Sequence, residues 1–183
     1  MKDFGYITSP VRKKEMGVIV EQLSDNYPKG VVAASLDAIK AVCYRYASQS
    51  GLTVSIDDVK TPAAKREILD KYEAQAETVE RQFERGIITD GERRQQETQM
   101  WGFATAEVQD AMEKEFRAQR FNPIDMMVGS GARGNKGNIG QLGAMRGLMA
   151  DPSGRIIEVP VRSNFREGMT VLEYFISTHG ARK

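Results

Sequence analysis

TPAAKREILDKYEAQAETVERQF (residues 61–83), ERGIITDGERR (84–94) and QQETQMWGFATAEVQDAMEKEF (95–116) follow one another in the chain, and their reading decides the fold. In the first, Ile68, Tyr72, Ala76, Val79 and Phe83 recur at 4-4-3-4 spacing, which places them on one stripe of a helix. Thr61 and Pro62 supply a start signal, a hydroxyl at the N-cap and a proline at the first helical position, where its missing N–H costs nothing. The pattern breaks at Gly86 and restarts behind Thr89-Asp90-Gly91-Glu92, a T-x-x-E capping box. Trp101, Thr105, Val108, Met112 and Phe116 then form a second stripe at 4-3-4-4 spacing. Two narrow apolar stripes joined by a short turn predict an antiparallel coiled-coil hairpin. Arms of about 24 residues at about 1.5 Å rise would project roughly 35 Å. A two-helix hairpin buries one seam only, so it is expected to protrude from something larger. Its many carboxylates read as solvated outer faces, with i,i+4 pairs such as Glu67–Lys71 and Glu77–Arg81.

Upstream, residues 10–26 suit one helix, Pro28-Lys29-Gly30 breaks it, and a second runs from about 31 to 49. Val32, Leu36, Ile39, Cys43 and Tyr46 share one face of that second helix, and Gly51 stands where a left-handed cap is needed. LTVSIDDV (52–59) alternates like a short strand. Downstream of Asn122-Pro123 lies MMVGSGARGNKGNIGQLGAMRG (126–147), a glycine-rich basic loop with a short helical stretch near 139–149. Asp151-Pro152-Ser153-Gly154 is a turn, and IIEVPVRS (156–163) is extended, limited by Pro160 to an edge or irregular strand. A last helix from about Met169 or Thr170 carries Leu172, Phe175 and Ile176 on one side. The chain thus divides into residues 1–60, the hairpin 61–120, the loop and extended segment 121–163, and a closing segment 164–183. The fold class is mainly α with short β segments, a coiled-coil hairpin on a small α+β base.

The 183 residues are 40% apolar and 28% charged with net charge +1, which gives no global drive toward nucleic acid or anionic membrane. Charge is unevenly spread: residues 61–120 hold 10 basic and 13 acidic side chains, and 121–183 hold 8 and 5, so polyanion contact belongs to the C-terminal third. No run of 18 apolar residues marks a membrane span. Cys43 is the sole cysteine, which excludes an intrachain disulfide and fits a reducing cytoplasm; on its apolar helix face it reads as a small core residue. His179 is the sole histidine and, with no second ligand near, reads as a helix residue rather than a metal ligand or acid–base group.

GSGARG (129–134) satisfies G-x-G-x-x-G as a string, but the dinucleotide fingerprint needs a preceding strand and a following helix. MMV is a poor strand, and Lys136-Gly137-Asn138 a poor helix start. Lys136 is followed by Gly137 instead of Ser or Thr, so no Walker loop is present either. Two readings of the loop remain: a flexible connector with a solvated basic face, or a phosphate contact through Arg133, Lys136 and Arg146, whose planar guanidinium groups suit paired phosphate oxygens. No pair of carboxylates resembles a catalytic acid pair.

SGARGN, QLGAMRGLMADPSGRIIEVPV, NFREG and VLEYFISTHGARK resemble the largest, β′, subunit of bacterial DNA-dependent RNA polymerase. The resemblance extends back through MWGFATAEV, GIITDGERR and YRYASQSGLTVSIDDVKTP and covers most of the chain from about residue 30. It implies a mainly helical partial chain of an enzyme that synthesises RNA on a DNA template. Residues 1–60 would form the base of its funnel, 61–120 the coiled-coil rim of the secondary channel through which substrates enter, and 126–150 the loop supporting the trigger loop. The segment from 171 onward would start the bridge helix. Arg133 would approach the triphosphate of the incoming nucleotide, Gln141, Met145 and Arg146 would support the loop, and Arg182 and Lys183 would lie near the nucleic-acid cleft. Ile87, Ile88, Asp90, Glu92 and Arg93 at the hairpin tip would receive secondary-channel transcription factors. Implied partners are the rest of β′, the β, α and ω subunits, a sigma factor, DNA, RNA and nucleoside triphosphates. No cofactor would be bound here. The catalytic magnesium would sit elsewhere in the full enzyme, since no aspartate-rich NADFDGD-like string occurs, so no residue here is expected to be catalytic and the chain alone should polymerise nothing. The stop in mid-helix after Lys183 fits a piece of a longer subunit. Gly140 replaces a family arginine, Gly143-Ala144 reverses the family's Ala-Gly order, and Gly129 stands where many members have aspartate. The rival readings are an autonomous coiled-coil interaction module and a dinucleotide-binding protein.

Overall fold

The computed structural model describes residues 5–119 and 121–180. Its helices are α1 (Lys13–Asn26), α2 (Lys29–Gln49), α3 (Lys65–Glu84), α4 (Asp90–Ala118), α5 (Pro123–Ser130), α6 (Lys136–Gly143) and α7 (Val171–His179). They fall into two compact units. One runs to Val54 and includes Pro123–Asn135; the other comprises Ser55–Asn122 and the chain from Lys136 onward.

In the first unit, Tyr27 is extended and Pro28 breaks the chain between α1 and α2. The carbonyl of Pro28 accepts from Val31 and Val32, so the break that ends one helix also opens the next. Ile19 and Leu23 of α1 face Val31, Ala34, Ala38 and Ile39 of α2 around an apolar cavity of about 600 Å³ that Ile7 also lines. Only the first half of α2 is covered. From Ala41 on every residue is exposed, with Tyr44 at 71% and Tyr46 at 65%. Cys43, expected in a core, is therefore exposed; α1 has 14 residues against 21 in α2 and is too short to cover the rest. Gly51 takes φ +64°, the left-handed conformation its position requires.

The second unit is built on the predicted hairpin. α3 and α4 pack against each other, burying Ile68 and Tyr72 from one arm and Trp101, Ala104, Val108, Met112 and Phe116 from the other. Gly86, at φ +71°, turns the chain. The Thr89 hydroxyl accepts from the Glu92 N–H while the Glu92 carboxylate takes the Thr89 N–H at 2.8 Å, the reciprocal box read from the sequence. Two details differ. The arm begins at Lys65 with Ala64 at its N-cap, because Thr61 is used otherwise: its Oγ1 accepts from Asn164 Nδ2 at 3.0 Å. Lys71 pairs across the seam with Glu107 at 3.3 Å instead of with Glu67, and Arg81 donates to the main-chain oxygen of Glu77 instead of its carboxylate.

The short β segments do not form as strands among the described residues. Ser55 and Asp58 make a capping box, with Ser55 N–H donating to Asp58 Oδ2 at 2.6 Å, and pull 56–58 into a 3-10 turn. Local side-chain bonds there outweigh the alternation of LTVSIDDV. Residues 146–163 form a ribbon held by two isolated antiparallel bridges, Gly147 with Val161 and Ala150 with Ile156. At its bend the Asp151 carboxylate accepts from the Ser153 hydroxyl and N–H and from Arg155 N–H, which holds its pKa well below the ordinary carboxylate range. The glycine-rich stretch is largely helical. Pro123 opens α5 and places Met126, Met127 and Val128 in a helix, while Lys136, read as a poor start, begins α6.

Candidate functional site

The segment between α5 and α6 presents Arg133. Gly131 N–H donates to Val128 O at 3.0 Å and Ala132 N–H to Met127 O at 3.1 Å, closing the last turn of α5. Gly131 (φ +76°) and Gly134 (φ +79°) flank the arginine with left-handed backbone. Arg133 is exposed and makes no ion pair with another described residue. Lys136, the second cation of the stretch, pairs with Glu113 at 2.8 Å.

The other loop residues lie in the second unit. Gln141 accepts Phe165 N–H on its carbonyl at 3.1 Å. Met145 is 1% exposed beside the equally covered Ala144. Arg146 is half-buried: its guanidinium lies 5.0 Å from the centre of the Phe165 ring and donates through Nη1 to Ser177 Oγ at 2.9 Å.

Asn164, which sequence reading passed over, is fully buried at the junction. Its Nδ2 donates to Gly143 O at 2.8 Å, Ala144 O at 3.2 Å and Thr61 Oγ1 at 3.0 Å, and its Oδ1 accepts Glu167 N–H at 2.7 Å. Glu167 in turn pairs with Lys65, a lysine only 6% exposed, at 2.5 Å. The signal available in the sequence was the unbroken string NFREG, which mixes an amide, two aromatic or charged neighbours and an acid at the head of the closing segment.

α7 is entered through a capping box of its own. Glu173 accepts Thr170 N–H and hydroxyl at 3.0 and 2.9 Å and also takes Arg162 N–H, Ser163 N–H and the Ser163 hydroxyl. Burial pushes its carboxyl up, but the Thr170 and Ser163 bonds outweigh that and bring it down to about 2. The face α7 turns inward is polar. Ser177 is 2% exposed; of the three residues expected on one side, Leu172 and Phe175 are 68% and 63% exposed, with Val171 and Tyr174, and Ile176 is half-buried. His179 is exposed. Arg182 and Lys183 lie outside the described residues.

At the hairpin tip Ile87 is 66% exposed and Ile88 partly covered. The charged residues face one another. Arg93 lies between Asp90 at 2.8 Å, Glu97 at 3.0 Å, Glu80 at 3.8 Å and Glu158 at 3.9 Å, with its guanidinium 5.2 Å from the Phe83 ring centre. Arg94 joins Asp90 and Glu158. Burial raises the Glu97 carboxyl against the opposing pull of Arg93, and the Arg93 bond lowers Asp90. Glu92 is occupied by the cap.

Residues 88–171 match the family model RNA polymerase Rpb1, domain 4. The chain is 57% identical over 181 residues to DNA-directed RNA polymerase subunit beta' of Nocardioides sp., covering 99% of this chain and 14% of the relative. Against the subunit beta' of Acidothermus cellulolyticus it is 52% identical, and against that of Cutibacterium acnes 53%, with the same coverage. The chain belongs to the β′ family. It spans about one seventh of the length of these β′ relatives. The stretch matched by the family model holds the β′ chain's tip residues from Ile88, Arg133, and the Gln141–Met145–Arg146 group. Among the described residues no helix is long and apolar enough to cross a membrane.

Proposed function

We propose that this β′ chain forms part of the secondary-channel rim and active-site wall of a multisubunit RNA polymerase that copies DNA into RNA in the cytoplasm. The observation that carries the reading is identity near one half or above across virtually the whole chain with several β′ subunits. The helical hairpin supports its assignment as the rim, with Ile87 as the exposed apolar element a secondary-channel factor would meet. Arg133 is the cation for the triphosphate of the entering nucleotide, since its guanidinium is exposed and pairs with no carboxylate among the described residues. α7 is the start of the bridge helix, and its outward apolar side the surface turned toward the rest of the enzyme and its nucleic acid.

The partners are the remainder of β′, the β, α, ω and sigma subunits, DNA, RNA and nucleoside triphosphates. Among the described residues no three His, Cys, Asp or Glu side chains gather as metal ligands would. We assign the ligands of the magnesium of phosphoryl transfer to other parts of the enzyme, and this segment's share is to position and to neutralise charge.

The test exchanges this segment into the β′ subunit of Nocardioides sp., assembles it with the other subunits and measures templated RNA synthesis. Synthesis is expected, with Arg133→Ala raising KM for nucleoside triphosphate about tenfold or more, as the loss of a charge-assisted contact to phosphate would. An exchanged subunit that fails to assemble, or an Arg133→Ala enzyme with unchanged kcat/KM, would overturn the reading.

A further inference from the structure

α7 is seated by residues that a packing argument would not choose. Glu173, Ser177 and Gly180 follow one another at spacings of four and three, so they line one face of the helix. Each meets the ribbon or its start. Glu173 takes the main-chain N–H groups of Arg162 and Ser163. Ser177 accepts from Arg146. Gly180 passes so close to the ribbon that a Cβ on it would lie 2.6 Å from the carbonyl oxygen of Ala150. The apolar residues Val171, Leu172, Tyr174 and Phe175 are left outside.

A seam of this kind has different mechanics from an apolar one. Dispersion and burial are non-directional, so an apolar stripe tolerates small slides and rotations. Hydrogen bonds to a charged group weaken steeply with distance and angle, so a polar seam has one good register. Arg146 is the side chain that couples the centre of the helix to this seam. Its main-chain N–H is fixed on Ser163 O at 3.1 Å, its guanidinium lies against Phe165, and its Nε is buried without a hydrogen-bond partner. The Ser177 hydroxyl donates back to Tyr174 O at 3.2 Å, which leaves its lone pair for Arg146. Leaving Nε unsatisfied is unfavourable, and the arrangement is retained because the ring contact and the Ser177 bond require the guanidinium plane in that one place. A lysine ammonium has no planar edge with which to satisfy both.

We propose that Arg146 is a positioning residue: through Ser177 it fixes the rotation and axial register of α7, and so determines which side chains α7 turns outward. The catalytic consequence, slower nucleotide addition when the register loosens, rests on the polymerase reading; the lock itself does not.

Two measurements separate these. Hydrogen–deuterium exchange on the 183-residue chain compares the α7 amides in the unsubstituted protein, Arg146→Lys, Ser177→Ala and the double variant. Each single substitution should speed α7 exchange about tenfold or more, the loss of one charge-assisted bond. The double variant should add little to either single, because one interaction is removed twice. Additive effects, or unchanged α7 exchange, overturn the lock. If Arg146→Lys also exposes α3 and α4, the fold has failed and Ser177→Ala alone decides. In the assembled polymerase, both single variants should lower kcat for nucleotide addition with KM for nucleoside triphosphate within about twofold. Loosened α7 with unchanged kcat overturns the positioning role. An unsubstituted assembly that makes no RNA removes the polymerase reading, while the exchange result still judges the Arg146–Ser177 lock.

Discussion

Tyr72 of α3 donates its phenolic hydrogen to the Glu107 carboxylate of α4 at 2.8 Å, and Lys71 reaches the same carboxylate from the next position. Burial and then the Glu107 bond raise the Tyr72 pKa, and the Tyr72 bond, ahead of that from Lys71, lowers that of Glu107. This polar clasp lies on the edge of an otherwise apolar seam. Tyr72→Phe keeps the ring and removes the bond, so unfolding followed by circular dichroism should show a loss of about 1 kcal/mol. A change below a few tenths would mean that water replaces the tyrosine without penalty.

The Glu173 cap should give α7 an acid limit. Its carboxyl titrates at about 2 in the folded chain, below the ordinary 4.5. A lowered folded value means that its contribution is fully present above about 4.5 and is lost as pH falls from there through about 2. NMR signals of α7 amides should therefore hold their positions to about pH 3 and shift as pH falls through about 2, while their exchange protection begins to weaken below about 4.5. In Glu173→Gln the same signals should already be less protected at pH 7 and should lack that titration; a wild-type profile in the Gln variant would refute the assignment.

Gly143 has no room for a side chain. A Cβ on Gly143 would lie 2.8 Å from Val59 Cγ1, 3.0 Å from Met112 Sδ and 3.2 Å from the Lys60 carbonyl oxygen. Gly143→Ala should cost about 1–3 kcal/mol, the range for overpacking. Gly140 meets only the end of Gln109 at 3.2 Å, and a mobile side chain can withdraw. Gly140→Ala should be tolerated within about 1 kcal/mol. Denaturant midpoints compare the two, and equal costs would contradict the packing.

Asn164 joins Thr61, Gly143, Ala144 and Glu167 with one side-chain amide. Asn164→Ala removes all of these and leaves buried acceptors behind, which should cost about 3 kcal/mol. Asn164→Asp should be no better at neutral pH, because a carboxylate cannot donate to the carbonyls of Gly143 and Ala144. A stable Asp variant at pH 7 would show that the donor role has been misread.

The hairpin was legible because two independent signals agreed: apolar residues at helical spacing and a capping box whose four residues are consecutive. The capping box at Thr170 was equally local, yet the seating of α7 was not legible, since Val171, Leu172, Tyr174 and Phe175 are exposed and the helix is held by Glu173, Ser177 and Gly180. Hydrophobic periodicity reports which face is apolar, not which face is covered. The Cys43–Tyr46 end of α2 failed for the same reason. LTVSIDDV failed through a competing local bond at Ser55, and Asn164 was invisible because its partners lie up to about a hundred residues away. Of the candidate site residues, Arg133 could be named from its glycine-flanked basic string, whereas the environment of Arg146 depends on Phe165 and Ser177, which no spacing rule connects to it.

Trp101 is the only indole in the chain, 4% exposed, with the Arg162 guanidinium 5.7 Å from its ring. Arg162 is itself paired with Glu73 on the opposite arm of the hairpin. The chromophore thus stands where α3, α4 and the ribbon meet, beneath a cation that belongs to the ribbon. Lifting the ribbon would hydrate the indole and withdraw that charge together, moving its emission toward the red. The chain therefore carries an intrinsic optical gauge of its own closure, readable without a label.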